Sequence, residues 1–128
     1  MRQRGFTLLE MIVVLAILGL TTALVAPAAL RGIDSWRRQA ELDSLLDQIR
    51  ALPGNARASG KAIVLSDDAL KGEAPPLQVA ADWTLGVPKP WRVNTNGVCG
   101  GGAITIGNAY GTRTIAVAAP FCDPVVQP

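Results

Sequence analysis

From Met11 to Leu30 the chain runs for twenty residues without a charge. As an α-helix rising about 1.5 Å per residue, this run is roughly 30 Å long, the thickness of a bilayer's hydrocarbon core. The apolar surface begins at Phe6, and one ionisable group interrupts it, Glu10. A carboxylate costs roughly 2.5–3.5 kcal/mol at the middle of a membrane and less near its edge, so it calls for a partner and a role. Arg2 and Arg4 stand just ahead, on a segment of five residues. The positive-inside bias then leaves the N-terminus in the cytoplasm and sends the rest of the chain across. Three plainer readings compete. A secretory signal peptide cut near Ala26-Pro27-Ala28 is opposed by Glu10 and by a proline beside the cut. A membrane anchor with an incidental Glu is the second. A buried helix of a soluble protein is disfavoured by the length of the run and its apolar character all round.

At 128 residues the chain is long enough for that anchor and one small domain. It has no histidine, and so lacks the commonest general base and the commonest neutral metal ligand. With no paired catalytic carboxylates in the soluble half and no nucleophile motif, an enzyme is not expected, and no cofactor or metal is implied. Gly54 to Lys61 looks superficially like a phosphate loop. It fails because five residues, not four, separate Gly54 from Gly60, and Ala62 replaces the required Ser or Thr.

After Leu30 the pattern becomes amphipathic. Ile33, Trp36, Ala40, Leu42, Leu45, Leu46, Ile49 and Leu52 recur at a spacing of three to four, with Arg37, Arg38, Glu41, Asp43, Asp47 and Arg50 mostly on other faces. The first helix therefore extends well past the membrane. Pro27 is expected to kink rather than stop it, with Thr22 or neighbouring helices satisfying the carbonyl of Ala23. The alternative is two helices broken at Arg31-Gly32. Pro53-Gly54 marks the helix end or a second break, and Asn55 to Ser59 a further turn before Gly60.

Beyond Lys61 the period shortens. Ala62 to Leu65 reads as a strand, Ser66-Asp67-Asp68 as a turn, and residues 69–76 as a loop. Leu77 to Ala80, Trp83 to Leu85 and Trp91 to Asn94 read as short strands, and Asn96-Gly97 as a turn. Ala103 to Ile106 and Thr112 to Ala118 bracket Asn108-Ala109-Tyr110-Gly111 as a hairpin. Pro120, Pro124 and Pro128 make the tail irregular. The expected fold is α+β, a long helix packed on a small, mostly antiparallel sheet domain. So small a core needs support. The apolar stripe of Trp36 to Leu52 offers one support. A disulfide between Cys99 and Cys122 would add about 3 kcal/mol by the chain-entropy model, in a compartment that permits it. Two free buried thiols are the alternative. Gly100-Gly101-Gly102 reads as a flexible or tight connection rather than an anion nest, since no helix start follows.

Arg4-Gly5-Phe6-Thr7-Leu8-Leu9-Glu10, directly before an apolar run containing Pro27, resembles the type IV prepilin processing site. The resemblance covers about the first quarter of the chain. It implies that a prepilin peptidase cuts between Gly5 and Phe6 and methylates the new amine of Phe6. It also implies that Glu10 sets register as subunits stack. The cationic amine and the carboxylate are each costly alone in low dielectric and less so when paired, within one helix or between neighbours. After such a cut Arg2 and Arg4 are gone, ten basic residues face ten acidic ones, and no strong polyanion-binding surface follows from net charge.

With that resemblance the whole chain reads as leader 1–5, transmembrane and assembly helix 6–30, amphipathic helix and turn 31–60, and periplasmic β-rich domain 61–128. An apolar helix stripe ends in Asn55-Ala56-Arg57-Ala58-Ser59-Gly60 and a strand follows. Asn96-Gly97, a glycine cluster and the strand from Ala103 to Ile106 come later. This arrangement resembles the H-type minor pseudopilins of type II secretion and the FimT-like minor pilins. The major pseudopilin's calcium site is not expected, because Asp123 is the single acidic residue after Asp82.

Two functions are implied by these resemblances. One is a minor pseudopilin in the bacterial inner membrane, built into a periplasmic fibre that helps export folded proteins. Its partners would be prepilin peptidase, other pseudopilins or pilins, an inner-membrane assembly platform and membrane lipid. The other is a minor type IV pilin of fibre assembly or DNA uptake. Nucleic acid is the weaker partner, because Lys89, Arg92 and Arg113 are the only cations after Lys71 and are scattered.

Overall fold

The computed structural model describes residues 4–128. Arg2, and with it the first three residues of the expected 1–5 leader, lies outside the described residues. One helix, α1 (Leu8–Ser59, 52 residues), holds about two fifths of the chain. It is continuous through Pro27 and Gly32, so there is no division at Arg31-Gly32. Glycine there costs about 1 kcal/mol against alanine, little against the long runs of helix formers on either side.

Pro53-Gly54 does not end the helix either. Pro53 is buried among the residues the helix turns inward, and that burial offsets the hydrogen bond its ring removes. The expected turn at Asn55 to Ser59 is therefore the last part of α1. The stop comes at Gly60, whose φ of +66° is the left-handed conformation favoured just past a helix end. Its N–H donates to the Ala56 carbonyl at 3.0 Å.

The chain divides into two compact units, residues up to Gln39 and Ala40–Pro128. In the first, the described side chains are exposed except for half-buried Arg38. In the second, Leu42, Leu45, Ile49, Leu52 and Ala56 of α1 share one core with Leu65, Leu77, Trp91, Val93, Ile104, Ile106, Ile115 and Val117. The inward stripe therefore starts at Leu42, not at Ile33 or Trp36. The reason is angular. At about 100° per residue, Trp36 lies about 140° and Ala40 about 180° round the helix from Ile49. Trp36 is 83% exposed.

Six short strands complete the second unit: β1 (Ile63–Leu65), β2 (Thr84–Gly86), β3 (Trp91–Val93), β4 (Gly102–Asn108), β5 (Gly111–Ala118) and β6 (Asp123–Val126). They form two antiparallel sheets, β1-β3 and β2-β4-β5-β6. The expected hairpin is β4–β5, with Ile104 opposite Ile115 and Asn108 opposite Gly111. The Asn108 side chain accepts from the Tyr110 N–H at 2.9 Å and shapes the turn.

Three local expectations are corrected. Ser66-Asp67-Asp68 is not a plain turn, because Ser66 caps a one-turn helix α2 (Asp67–Leu70) by accepting from the Ala69 N–H at 3.1 Å. Leu77 to Ala80 is not a strand. Its alternation is real, since Leu77 is buried, but the Gln48 side chain takes the place of a neighbouring strand. The Gln48 amide donates to the Gln78 carbonyl and accepts from the Gln78 N–H, both at 2.8 Å. Finally, the tail is not irregular throughout. Pro124 lies inside β6, an edge strand, where a missing N–H is tolerated.

Cys99 and Cys122 are joined in a disulfide, with Cα atoms 5.4 Å apart. The glycine cluster is a tight connection. A Cβ on Gly102 would collide with the Trp91 ring, and one on Gly100 would stand 3.0 Å from the Arg92 carbonyl. Gly102→Ala is therefore expected to destabilise the second unit by about 1–3 kcal/mol, through overpacking against a buried ring. Ile49→Ala should cost about 2–5 kcal/mol, whereas Trp36→Ala should stay within about 0.5 kcal/mol. Urea unfolding of the detergent-solubilised chain, followed by circular dichroism, measures all three.

Candidate processing and assembly site

The described chain begins outside regular structure. Arg4, Gly5, Phe6 and Thr7 precede α1 and are exposed. Nothing lies within 4 Å of where a Cβ on Gly5 would stand. The bond between Gly5 and Phe6 is thus open on the non-helical side of a helix start, where a protease can take the backbone in extended form.

Thr7 makes that start. Its Oγ1 accepts from the Glu10 N–H at 3.2 Å, and its carbonyl accepts from the Met11 N–H at 3.2 Å. Helix starts leave their first N–H groups without partners, and a threonine hydroxyl satisfies one of them. Thr7-Leu8-Leu9-Glu10 has the T-x-x-E spacing of a capping box, a local signal present in the sequence in addition to the prepilin resemblance. Glu10 lies in the first turn, where the helix dipole favours a negative charge.

The electrostatics then follow a simple logic. A cut after Gly5 would create an ammonium at Phe6 beside the positive end of a helix dipole. Glu10 is the only carboxylate between that point and Asp34. One anion therefore answers two positive features, the new amine and the helix start, and it does so from an otherwise apolar rod.

Pro27 lies well inside α1, which stays helical across it. Thr22 does not reach the Ala23 carbonyl as expected. Both Thr21 and Thr22 donate to the Leu18 carbonyl, at 3.0 and 2.7 Å, because a helical threonine hydroxyl reaches back three or four residues and not forward. Arg92 lies on β3 in the two-stranded sheet and Arg113 on β5 in the four-stranded one. Lys89 precedes β3 in a loop. Among the described residues, no group of three or more His, Cys, Asp or Glu side chains could hold a metal ion.

Removing the cap isolates its contribution. Thr7→Ala should weaken the first turn by about 1 kcal/mol, with Thr7→Ser close to the parent. In micelles the Glu10 amide should exchange with solvent about five-fold faster in the alanine variant.

Residues 1–26 match the family model of the prokaryotic N-terminal methylation motif. No curated protein and no solved structure matches the chain. The match covers the motif alone. It supports the type IV pilin and pseudopilin class, hence a structural subunit, and such a motif implies processing by prepilin peptidase and assembly with other pilins. The apolar N-terminal part of α1 is long enough to cross a membrane, as anchoring of such a protein requires.

Proposed function

We propose that the chain is a minor pseudopilin of a type II secretion system. It is anchored in the bacterial inner membrane with its N-terminus in the cytoplasm, cut between Gly5 and Phe6, methylated on Phe6, and assembled into a periplasmic fibre through contacts that include Glu10. The observation that carries this reading is the geometry at the start of α1. An open Gly5–Phe6 bond stands directly ahead of a capped helix whose first turn holds the lone acid of an apolar rod, within the matched motif. Pro27, which removes one rung of the hydrogen-bond ladder, gives the rod a place to bend as it leaves lipid for a fibre.

The disulfide-closed second unit fits an extracytoplasmic compartment. The minor class is favoured over the calcium-binding major one by the acid-poor C-terminal half, where Asp123 is the single carboxylate after Asp82.

Protein purified from its host membranes should yield a mature N-terminus at Phe6 carrying one added methyl group on mass spectrometry. Glu10→Ala should still be cut but should fail to enter fibres, with secretion of folded cargo reduced and surface piliation unchanged. A mature chain beginning anywhere else removes the processing half of the proposal. A defect confined to piliation assigns the chain to a type IV pilus.

A further inference from the structure

We infer that Trp36, together with Arg31 and Arg37, forms an interfacial collar that seats α1 in the phospholipid headgroup layer on the exit side of the membrane. The collar holds Glu10 in the opposite headgroup layer until the subunit is withdrawn. The inference rests on the membrane reading above and adds a depth to it.

Trp36 is 83% exposed on a helix face about 140° from the stripe that enters the core. A tryptophan left out of the core on a surface helix needs another apolar surface to sit on. The segment from Arg31 to Gln39 carries three arginines and one aspartate immediately after the twenty uncharged residues. Arg31 and Arg37 are exposed. Positive charge on the exit side runs against the bias that orients such a helix, so these residues are not there to set topology. Headgroup phosphates give them a purpose, and an indole at the headgroup level is the usual companion of such arginines.

Length supports the assignment. The twenty-six positions from Glu10 to Trp36 span about 39 Å of helix. A bilayer measures about 30 Å across its hydrocarbon and about 40–45 Å with both headgroup layers. With Trp36 in one headgroup layer, Glu10 therefore falls in the other, not in the hydrocarbon. The carboxylate then meets water and phosphate before assembly, and the Gly5–Phe6 bond stands at the cytoplasmic surface, within reach of a membrane protease. Ile33, exposed one turn before Trp36, meets the outer end of the hydrocarbon.

The test uses the full chain in vesicles of phosphatidylethanolamine and phosphatidylglycerol. Subtracting the fluorescence of Trp36→Phe from that of the parent isolates the Trp36 signal from Trp83 and Trp91. Lipids brominated near the headgroup should quench that signal at least two-fold more than lipids brominated near the chain ends. Replacing phosphatidylglycerol with phosphatidylcholine should shift its emission to the red, and Arg31→Gln/Arg37→Gln should abolish that dependence. A vesicle-bound chain whose Trp36 signal escapes all brominated lipid, or is quenched most by the deep label, overturns the collar while leaving the anchor intact. Shielding that rises with the protein-to-lipid ratio assigns this face to a second copy and also overturns it. A chain that does not bind vesicles at all removes the membrane reading itself.

Discussion

A helix satisfies its backbone hydrogen bonds from within, and the rest of this structure depends on that property. No other single element can run from hydrocarbon into water without leaving polar groups unpaired. Because the ladder is internal, the side chains of α1 are free to suit two different surroundings. Its first part is apolar all round, as lipid or closely set neighbouring helices require. Its last part is apolar on one stripe, and Leu42, Leu45, Ile49, Leu52 and Ala56 close the core of the second unit. The same element that is long and apolar enough to anchor the chain is, in its last part, a wall of the folded second unit, so that unit cannot form fully without the helix's last turns.

The second unit illustrates how a small core is held. Its strands are short and its sheets are two, so helix side chains take over work that longer strands would do. Gln48 supplies a donor and an acceptor to residue 78, and Glu41 accepts from the Ala80 N–H at 3.4 Å. Asp67 likewise accepts from the Val87 N–H at 2.8 Å, tying α2 to the start of the loop after β2. The disulfide ties the segment before β4 to the segment before β6, across the β4–β5 hairpin. The Gln48, Glu41 and Asp67 contacts are polar clasps on an apolar core, and each satisfies a backbone group of a segment without a strand partner there.

Much of this was legible in the residues. The uncharged run, the hairpin around Asn108 to Gly111 and the apolar spacing of Leu42 to Leu52 are all periodic signals, and periodicity is local. The structure departs from these local signals where the deciding contact is distant or angular. Nothing near Leu77 announces that its partner is Gln48. Spacing of three to four residues seemed to unite Trp36 with Leu42, yet accumulated over a longer stretch the angles put them on different faces. Pro53 and Pro124 look like breakers in sequence, which does not reveal burial or an edge position. At the N-terminal site, Gly5, Phe6 and Glu10 are candidates through resemblance to the prepilin motif. The role of Thr7 is encoded just as plainly in T-x-x-E, a local capping signal that shares its residues with the motif.

The four-stranded sheet ends on β2, three residues long, and on β6, interrupted by Pro124. Neither border offers a long row of free N–H and C=O groups to an incoming strand. Copies of this domain crowded together in a membrane or a fibre are therefore discouraged from zipping into a shared sheet. Contacts made between side chains instead could be undone, where a shared backbone ladder would be slow to release.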